Sequence, residues 1–169
     1  VLRIGSQPAN HFGRECFMDE LAAAAGMDPL EFRRKYLDDK RGLELLERLA
    51  TLAKWDSRPS PQKPGSGNLA KGRGISYVKY ELVRTYIGAV AEVEVDRATG
   101  VIRVPKFTVV HDCGQVINPD GLKNQIEGNV IQTVSRTLIE EVTFDRSQVT
   151  SLDWASYPIM TMPDVPKIA

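Results

Sequence analysis

The sequence predicts an α+β protein, in which a helical N-terminal lobe is followed by an antiparallel hairpin or sheet with a helix packed on it. Apolar residues recur every three or four positions over 1–56 and every two positions over 87–95. A segment rich in proline and glycine, 58–68, separates the two patterns. We therefore expect a helical lobe over 1–56, a linker over 57–72 and an α+β portion over 73–169.

Three helices are expected in the helical lobe. The first covers 12–25, where apolar residues form one stripe between charged ones, and Gly26 is suited to end it. The second begins after Asp28, which can cap it, with Pro29 at a favourable first position. The third covers 42–55, where leucines at helical spacing form the buried stripe.

Apolar residues at every second position over 87–95 predict a strand after the linker, and the chain is expected to return as a second strand paired with it. The strands cover 87–95 and 101–110, and 96–100 has the residues of a turn, so an antiparallel hairpin is expected. Further short strands are expected over 74–85, 141–144 and 148–152. The sheet then needs a covering layer, which the next segment supplies.

A fourth helix follows the loop 111–120 and has two distinct stripes. Its apolar stripe repeats every four residues: Leu122, Ile126, Val130, Val134 and Leu138. Its second, polar stripe consists of Gln125, Gly128, Gln132 and Ser135. A glycine inside a helix costs about 1 kcal/mol relative to alanine, which indicates a close approach to the backbone. From the pattern alone, a neighbouring helix at Gly128 and solvent at Gln125 are favoured over a ligand.

Composition excludes several functional classes. Lys+Arg number 22 and Asp+Glu number 22, so the formal net charge is zero and we expect no nucleic-acid partner. The two cysteines, Cys16 and Cys113, are too few for a disulfide-rich scaffold or an all-thiolate zinc site. The two histidines, His11 and His111, lack ligand spacing, so no metal site built on protein side chains is expected.

Arg3 precedes a short loop of small and turn-forming residues. An arginine beside exposed backbone can bind an anion or a carbonyl oxygen, although an ordinary surface arginine is favoured from the residues alone.

Four blocks of sequence together resemble the C-terminal part of a known cofactor-binding subunit. They are LRIGSQPANHFGRECFMDELAAAAGMDPLEFRRKYL, GRGISYV, YIGAVAEVEVDRATGVIRV with the nearby HDCGQVINPDGLKNQIEGNV, and YPIMTMPDVP. The chain resembles the large, molybdenum-cofactor-binding subunit of the xanthine dehydrogenase/aldehyde oxidoreductase family. The similarity is greatest to its isoquinoline 1-oxidoreductase and nicotinate dehydrogenase branch.

The resemblance implies roles for particular residues. Arg3 matches the arginine whose loop lies near molybdenum and substrate, and Gln125 matches the glutamine that hydrogen-bonds the pterin. Glu127 and Gly128 complete the same motif, and the resemblance implies that both bind the cofactor together with Gln125 and Arg3. It thus favours a cofactor contact at Gly128 over a neighbouring helix. The residues of the preceding loop are implied to be structural: Asp112, Cys113, Gly114 and Asn118.

The resemblance also implies the chemistry of the whole enzyme. It implies a molybdenum hydroxylase that oxidises an N-heterocycle or aldehyde with water-derived oxygen. Its cofactor would be molybdopterin, in the cytosine dinucleotide form, and its partner an iron–sulfur subunit or domain carrying the iron–sulfur clusters. The general-base glutamate of the family is expected beyond Ala169, so no catalytic residue is assigned in this chain and the isolated chain is expected to be inactive.

Two departures from the family keep another interpretation open. The Gly-Gln-Gly stretch of larger members is missing between GRGISYV and the hairpin, and the arginine loop lacks the substrate-sandwiching aromatic residue. A non-catalytic interaction or scaffold module, or one half of a split enzyme with the remaining motifs on a separate chain, would also lack the general base and the Gly-Gln-Gly stretch. We expect a cytoplasmic protein, or a periplasmic one if a targeting region precedes Val1, and a chain that self-associates when isolated.

Overall fold

The computed structural model describes residues 7–63, 65–81 and 84–169 and shows an α+β protein. The helical part consists of α1 (Gln7–Ala24), α2 (Pro29–Tyr36) and α3 (Lys40–Ala53). Gly26 adopts a left-handed conformation with φ of 64° and follows the end of α1, as the sequence predicts.

The N-terminus of α2 is fixed by one buried aspartate. The Asp28 carboxylate accepts hydrogen bonds from the backbone N–H groups of Leu30 at 2.9 Å and Glu31 at 3.0 Å. It also accepts a hydrogen bond from the Trp55 indole at 3.0 Å, which joins the start of α2 to the residues after α3. The predicted helix cap at Asp28 is therefore present and also serves a tertiary contact.

The strands form one mixed sheet of order β1-β2-β3-β4. Their bounds are β1 (Leu69–Tyr80), β2 (Thr85–Asp96), β3 (Ile102–Asp112) and β4 (Lys167–Ile168). A short turn joins β2 to β3, so these neighbouring strands are antiparallel, whereas β4 pairs parallel to β3. The turn is fixed because the Asp96 carboxylate accepts hydrogen bonds from the N–H groups of Ala98 and Thr99.

The described residues divide between two compact units. The first unit holds the described residues up to Gly65 together with Arg73–Ala91 and Thr108–Gly114, and the second holds Ser66–Gly72, Glu92–Phe107 and Gln115–Ala169. These units do not follow the chain order of the segments 1–56, 57–72 and 73–169, and β1 begins inside the expected linker. Compact units that interleave along the chain do not test boundaries drawn in chain order, so the expected domain boundaries stay a prediction.

In the first unit, α3 packs closely against the sheet. Leu45, Leu46 and Leu49 are almost fully buried and share one apolar cluster with Tyr86 and Val90 of β2. The approach depends on Gly88, because a Cβ added there would lie 2.7 Å from the Leu45 side chain. Glycine at this position therefore lets α3 lie directly on β2.

A buried ion-pair network joins α1, α2 and β1 in the same unit. The side chain of Arg33 is only 3% exposed and donates to Glu15 at 3.0 Å and to Asp19 at 2.6 Å. Glu15 also accepts a hydrogen bond from the Tyr77 backbone N–H at 2.8 Å, on β1. Burial raises the pKa of the Asp19 carboxyl, and the neighbouring Arg33 guanidinium opposes that shift.

The second unit contains α4 (Pro119–Leu138) and the segment that follows it. Val130 and Val134 are buried, as the apolar stripe predicts. Ser135 is also buried, and its hydroxyl is satisfied there, because it donates to Glu140 at 2.5 Å and accepts from the Met160 backbone N–H at 2.9 Å. Ser135 therefore departs from the exposed polar stripe expected from the sequence.

The fold class expected from the sequence is confirmed, and one detail of it is wrong. Residues 141–152 do not form two short strands, because a single isolated antiparallel bridge joins Phe144 to Val149. Asp145 holds the intervening turn by accepting hydrogen bonds from the backbone of Ser147 and Gln148. A short turn closed by one bridge thus replaces the expected strands.

Candidate functional site

Helix α4 begins at a fixed point because its cap is complete. The Asn118 side chain accepts a hydrogen bond from the Gly121 backbone N–H at 2.9 Å, and Pro119 takes the first helical position. Capping fixes where the helix starts and therefore which residues face outward along its length.

The outward face of α4 presents an amide beside a bare backbone. Gln125 and Gly128 are both exposed and lie one turn apart on the same side of the helix. Apart from its two chain neighbours and the backbone of α4 itself, a Cβ added at Gly128 would meet no atom of the described residues within 4 Å. Within the described chain no helix packs against Gly128, so the contact favoured from the pattern alone is absent there, and the backbone is open to a group from outside.

The structure places the other predicted site residues differently. Glu127 lies two residues from Gln125, which turns it to the other side of the helix. Its carboxylate forms an ion pair with Lys123 at 3.7 Å. Arg3 lies outside the described residues. The structure therefore brings together Gln125 and Gly128, and it does not place Glu127 on their face.

The loop before α4 follows Asp112, whose carboxylate is held by the Arg41 guanidinium. Asp112 receives two hydrogen bonds from the Arg41 guanidinium, both at 2.6 Å, and one from the Gly114 backbone N–H at 3.0 Å. These contacts lower the pKa of the Asp112 carboxyl to about 2. Gly114 has φ of 80°, a conformation that suits glycine. Asp112 and Gly114 thus have structural contacts, consistent with the role that the resemblance implies.

Arg41 is the residue in this region that the sequence did not single out. It lies 71 positions before Asp112, and its guanidinium also stacks 4.4 Å from the centre of the Tyr86 ring. No local spacing connects α3 with the end of β3, so only the fold reveals this pairing. Beside it, the Thr85 hydroxyl lies 2.6 Å from His111 Nε2, and burial lowers the pKa of the His111 imidazole.

A cavity of about 670 Å³ lies in the second unit, away from the predicted site residues. Its walls come from the turn and first residues of β3, the last turns of α4, and 160–165. Val134, Thr137 and Leu138 line it, but Gln125 and Gly128 do not. The amide face of α4 is thus an open surface and not part of this cavity. Among the described residues, no group of three or more His, Cys, Asp or Glu side chains could hold a metal ion.

The Gln125 amide beside the open backbone at Gly128 offers hydrogen-bond donors and acceptors to solvent or to a flat, polar ligand. Comparisons with known proteins identify the ligand of the family. The sequence profile described as the molybdopterin cofactor-binding domain matches residues 18–166, which is most of the chain. The chain therefore belongs to the molybdopterin cofactor-binding domain family, and the resemblance seen in the sequence is confirmed.

Named relatives are subunits of oxidoreductases. A nicotinate dehydrogenase subunit from Pseudomonas putida is 42% identical over 166 residues, and the match covers 94% of this chain and 14% of that protein. The beta subunit of isoquinoline 1-oxidoreductase from Brevundimonas diminuta is 28% identical over 158 residues, with 93% and 19% covered. The crystal structure of quinoline 2-oxidoreductase from Pseudomonas putida 86 is similar over 50% of this chain and 11% of that one, with 40% identity and a TM-score of 0.48. The chain thus spans less than a fifth of these two sequence relatives.

Proposed function

We propose that this chain forms part of the molybdopterin pocket of a larger molybdenum hydroxylase, with Gln125 and Gly128 of α4 as its cofactor-facing residues. The open backbone at Gly128, where an added Cβ would meet nothing of the described chain, is the observation that carries the proposal. Gln125 offers donors and acceptors beside it, which suits the edge of a pterin. Family membership supplies the identity of the ligand.

The residues of this chain would bind and orient the cofactor. The Gln125 amide would hydrogen-bond the pterin, and Gly128 would let the ring system approach the helix backbone. Arg3 is proposed to contact the cofactor near the molybdenum and the substrate. Glu127 is proposed to support the cofactor-binding helix through its ion pair with Lys123. When bound, the cofactor supplies the redox chemistry, and no residue of this chain is assigned the role of general base.

The reaction proposed for the whole enzyme is the hydroxylation of an N-heterocycle or the oxidation of an aldehyde. A C–H bond of the substrate breaks, a C–O bond to water-derived oxygen forms, and two electrons and two protons are released. The electrons pass to an iron–sulfur partner subunit or domain. The names of the bacterial relatives, a nicotinate dehydrogenase subunit and an isoquinoline 1-oxidoreductase subunit, support an N-heterocycle as the substrate. We also propose the cytosine dinucleotide form of the cofactor.

The test is cofactor content in the full-length parent enzyme, purified with its electron-transfer partner. Gln125→Ala should weaken cofactor binding about fivefold, as expected for one lost hydrogen bond of about 1 kcal/mol, and should lower the molybdenum and pterin content of each subunit when the cofactor is limiting. Thr133→Ala changes an exposed side chain on a different face of α4 and is the matched control. Unchanged molybdenum content in Gln125→Ala would show that this glutamine does not bind the cofactor.

Gly128→Ala gives an independent second variant. In the described chain the added methyl group meets no neighbour, so the substitution should stabilise α4 by about 1 kcal/mol through helix propensity alone. If a ligand approaches the backbone at Gly128, the same methyl group should reduce the pterin content of the parent enzyme. Higher stability of the cofactor-free protein with full pterin content would contradict the proposed approach of the cofactor.

A further inference from the structure

The exposed face of α4 continues past the two residues that the family motif covers. Gln132 is exposed and follows Gln125 by seven residues, which returns it to within about 20° around the axis and about 10 Å further along the helix. Within the described part of the chain, neither glutamine side chain has a hydrogen-bond partner. Gly128 lies between them, so the two amides flank a stretch of bare backbone.

Arg136 extends the same row by one further turn. It is half-buried on α4 and lies four residues after Gln132, on the same side of the helix. The adjacent carboxylate, Glu140, is occupied by hydrogen bonds from Ser135 at 2.5 Å and Tyr157 at 2.7 Å. In the described ranges no carboxylate forms an ion pair with Arg136. Beside the hydrogen bond from Ser135, Arg136 acts on Glu140 only as a neighbouring charge that helps to lower the pKa of that carboxyl, so the N–H donors of its guanidinium have no partner among the described residues and can bind an anion from outside.

The row has a direction that matches the chemistry of one ligand. From its N-terminal end it presents an amide, bare backbone, a second amide and a guanidinium, at Gln125, Gly128, Gln132 and Arg136. A ligand with a flat heterocycle at one end and a phosphate at the other would meet a matching group at each step, because a planar guanidinium is well suited to phosphate. The molybdopterin cofactor has both parts.

We propose that Gln132 and Arg136 are further cofactor-binding residues, with Arg136 contacting the phosphate-bearing part of the molybdopterin. The proposal rests on the proposed function, since it takes the same ligand and extends its contact along the same helix. It orients the cofactor on α4: the pterin lies towards the N-terminal half of the helix and the phosphate towards its C-terminal end.

The test measures how firmly the full-length parent enzyme retains its cofactor. The molybdenum and pterin content is followed during dialysis at low and high salt for Gln132→Ala, Arg136→Gln and Arg136→Lys. We expect retention about fivefold weaker in Gln132→Ala and at least about tenfold weaker in Arg136→Gln, with partial rescue in Arg136→Lys. The salt dependence of retention should also decrease in Arg136→Gln, because a charged contact is lost.

Controls separate a ligand contact from a structural one. Arg146→Gln removes an exposed arginine outside α4 and should leave retention unchanged. If Arg136→Gln lowers the thermal stability of the cofactor-free enzyme but not its retention of cofactor, Arg136 stabilises the end of the helix and the inference is wrong. If Gln125→Ala loses cofactor while Gln132→Ala and Arg136→Gln do not, the proposed function stands and this extension of it fails.

Discussion

At the residue scale, Asp112 shows how neighbouring donors set the charge of a single side chain. The Arg41 guanidinium and the Gly114 backbone N–H both stabilise its ionised form, which lowers the pKa of the carboxyl to about 2 from 3.8. The side chain remains 38% exposed, so solvent weakens the interaction compared with a buried pair. The contact therefore fixes geometry at the end of β3 more than it adds stability.

The lowered pKa of Asp112 gives a pH dependence of known sign. Because the folded-state pKa lies below the unfolded value, the ionised carboxylate stabilises the fold above about pH 4, and this contribution is lost as the pH falls towards 2. The free energy of unfolding of the chain should therefore exceed that of Asp112→Asn at pH 5, and the difference should shrink by pH 2. Urea unfolding at both pH values measures it.

His111 is the neighbouring group that could obscure this measurement. Burial lowers the pKa of its imidazole, so its contribution also decreases with falling pH, starting below 6.5. Since His111 is present in both proteins, the comparison with Asp112→Asn removes most of that contribution. A difference between the two proteins that stays constant from pH 5 to pH 2 would contradict the role given to the Asp112 carboxylate.

At the element scale, the packing of α1 and α2 depends on one buried arginine. The Arg33 side chain is 3% exposed and bridges Glu15 and Asp19 of α1, whereas the next residue, Arg34, forms more exposed pairs with Glu31 and Glu47. Removing Arg33 takes the buried cation away from Glu15 and Asp19 and leaves Glu15 with only the more exposed Arg14 as an ion-pair partner. A buried ion pair that loses one member is strongly destabilising, whereas surface pairs contribute little.

Substituting Arg33 and Arg34 one at a time compares the loss of a buried ion pair with the loss of a surface ion pair. Arg33→Ala should lower the free energy of unfolding by about 3–5 kcal/mol, because Glu15 loses its buried partner. Arg34→Ala should cost about 0–1 kcal/mol, since its partners are largely solvated. Chemical denaturation of both variants measures the difference, and equal losses would show that the Arg33 network is not the contact that joins the two helices.

These elements also show what sequence reasoning can and cannot predict. The cap at Asp28 and the common face of Gln125 and Gly128 were predictable because they depend on spacings of a few residues. The partners of Arg33 lie 14 and 18 residues away, and Arg41 lies 71 residues from Asp112. Helical periodicity carries no information about such separations, so the buried network and the loop anchor required the fold.

The predicted strands after α4 failed for a related reason. Residues 141–152 have enough β-branched and aromatic side chains to suggest strands, yet their ladder stops after the bridge between Phe144 and Val149. Strand propensity depends on a neighbouring strand, and the turn around Asp145 closes the pair after only a few residues. Composition therefore predicted two strands where the structure has one bridge and a turn.

At the scale of the whole molecule, large apolar side chains remain exposed in the segment after α4. Phe144, Leu152 and Trp154 are each 77% exposed, and Met162 is 83% exposed. Solvent-exposed Trp and Phe side chains close together in one segment are typical of surfaces that meet another protein. Among the described residues, no helix is long and apolar enough to cross a membrane.

The exposed segment leads to the prediction that the 169-residue chain self-associates in solution. Association would bury Trp154 and Phe144, so it should strengthen with protein concentration and persist at high salt, where ion pairs are screened. The double variant Phe144→Ser and Trp154→Ser should shift the weight-average mass towards the monomer in light scattering. Thr150→Ser, an exposed change in the same segment, is the control. If the unsubstituted 169-residue chain stays monomeric at high concentration, the prediction is wrong. It is also wrong if the double variant associates as strongly as the unsubstituted chain, because the apolar segment is then not the contact.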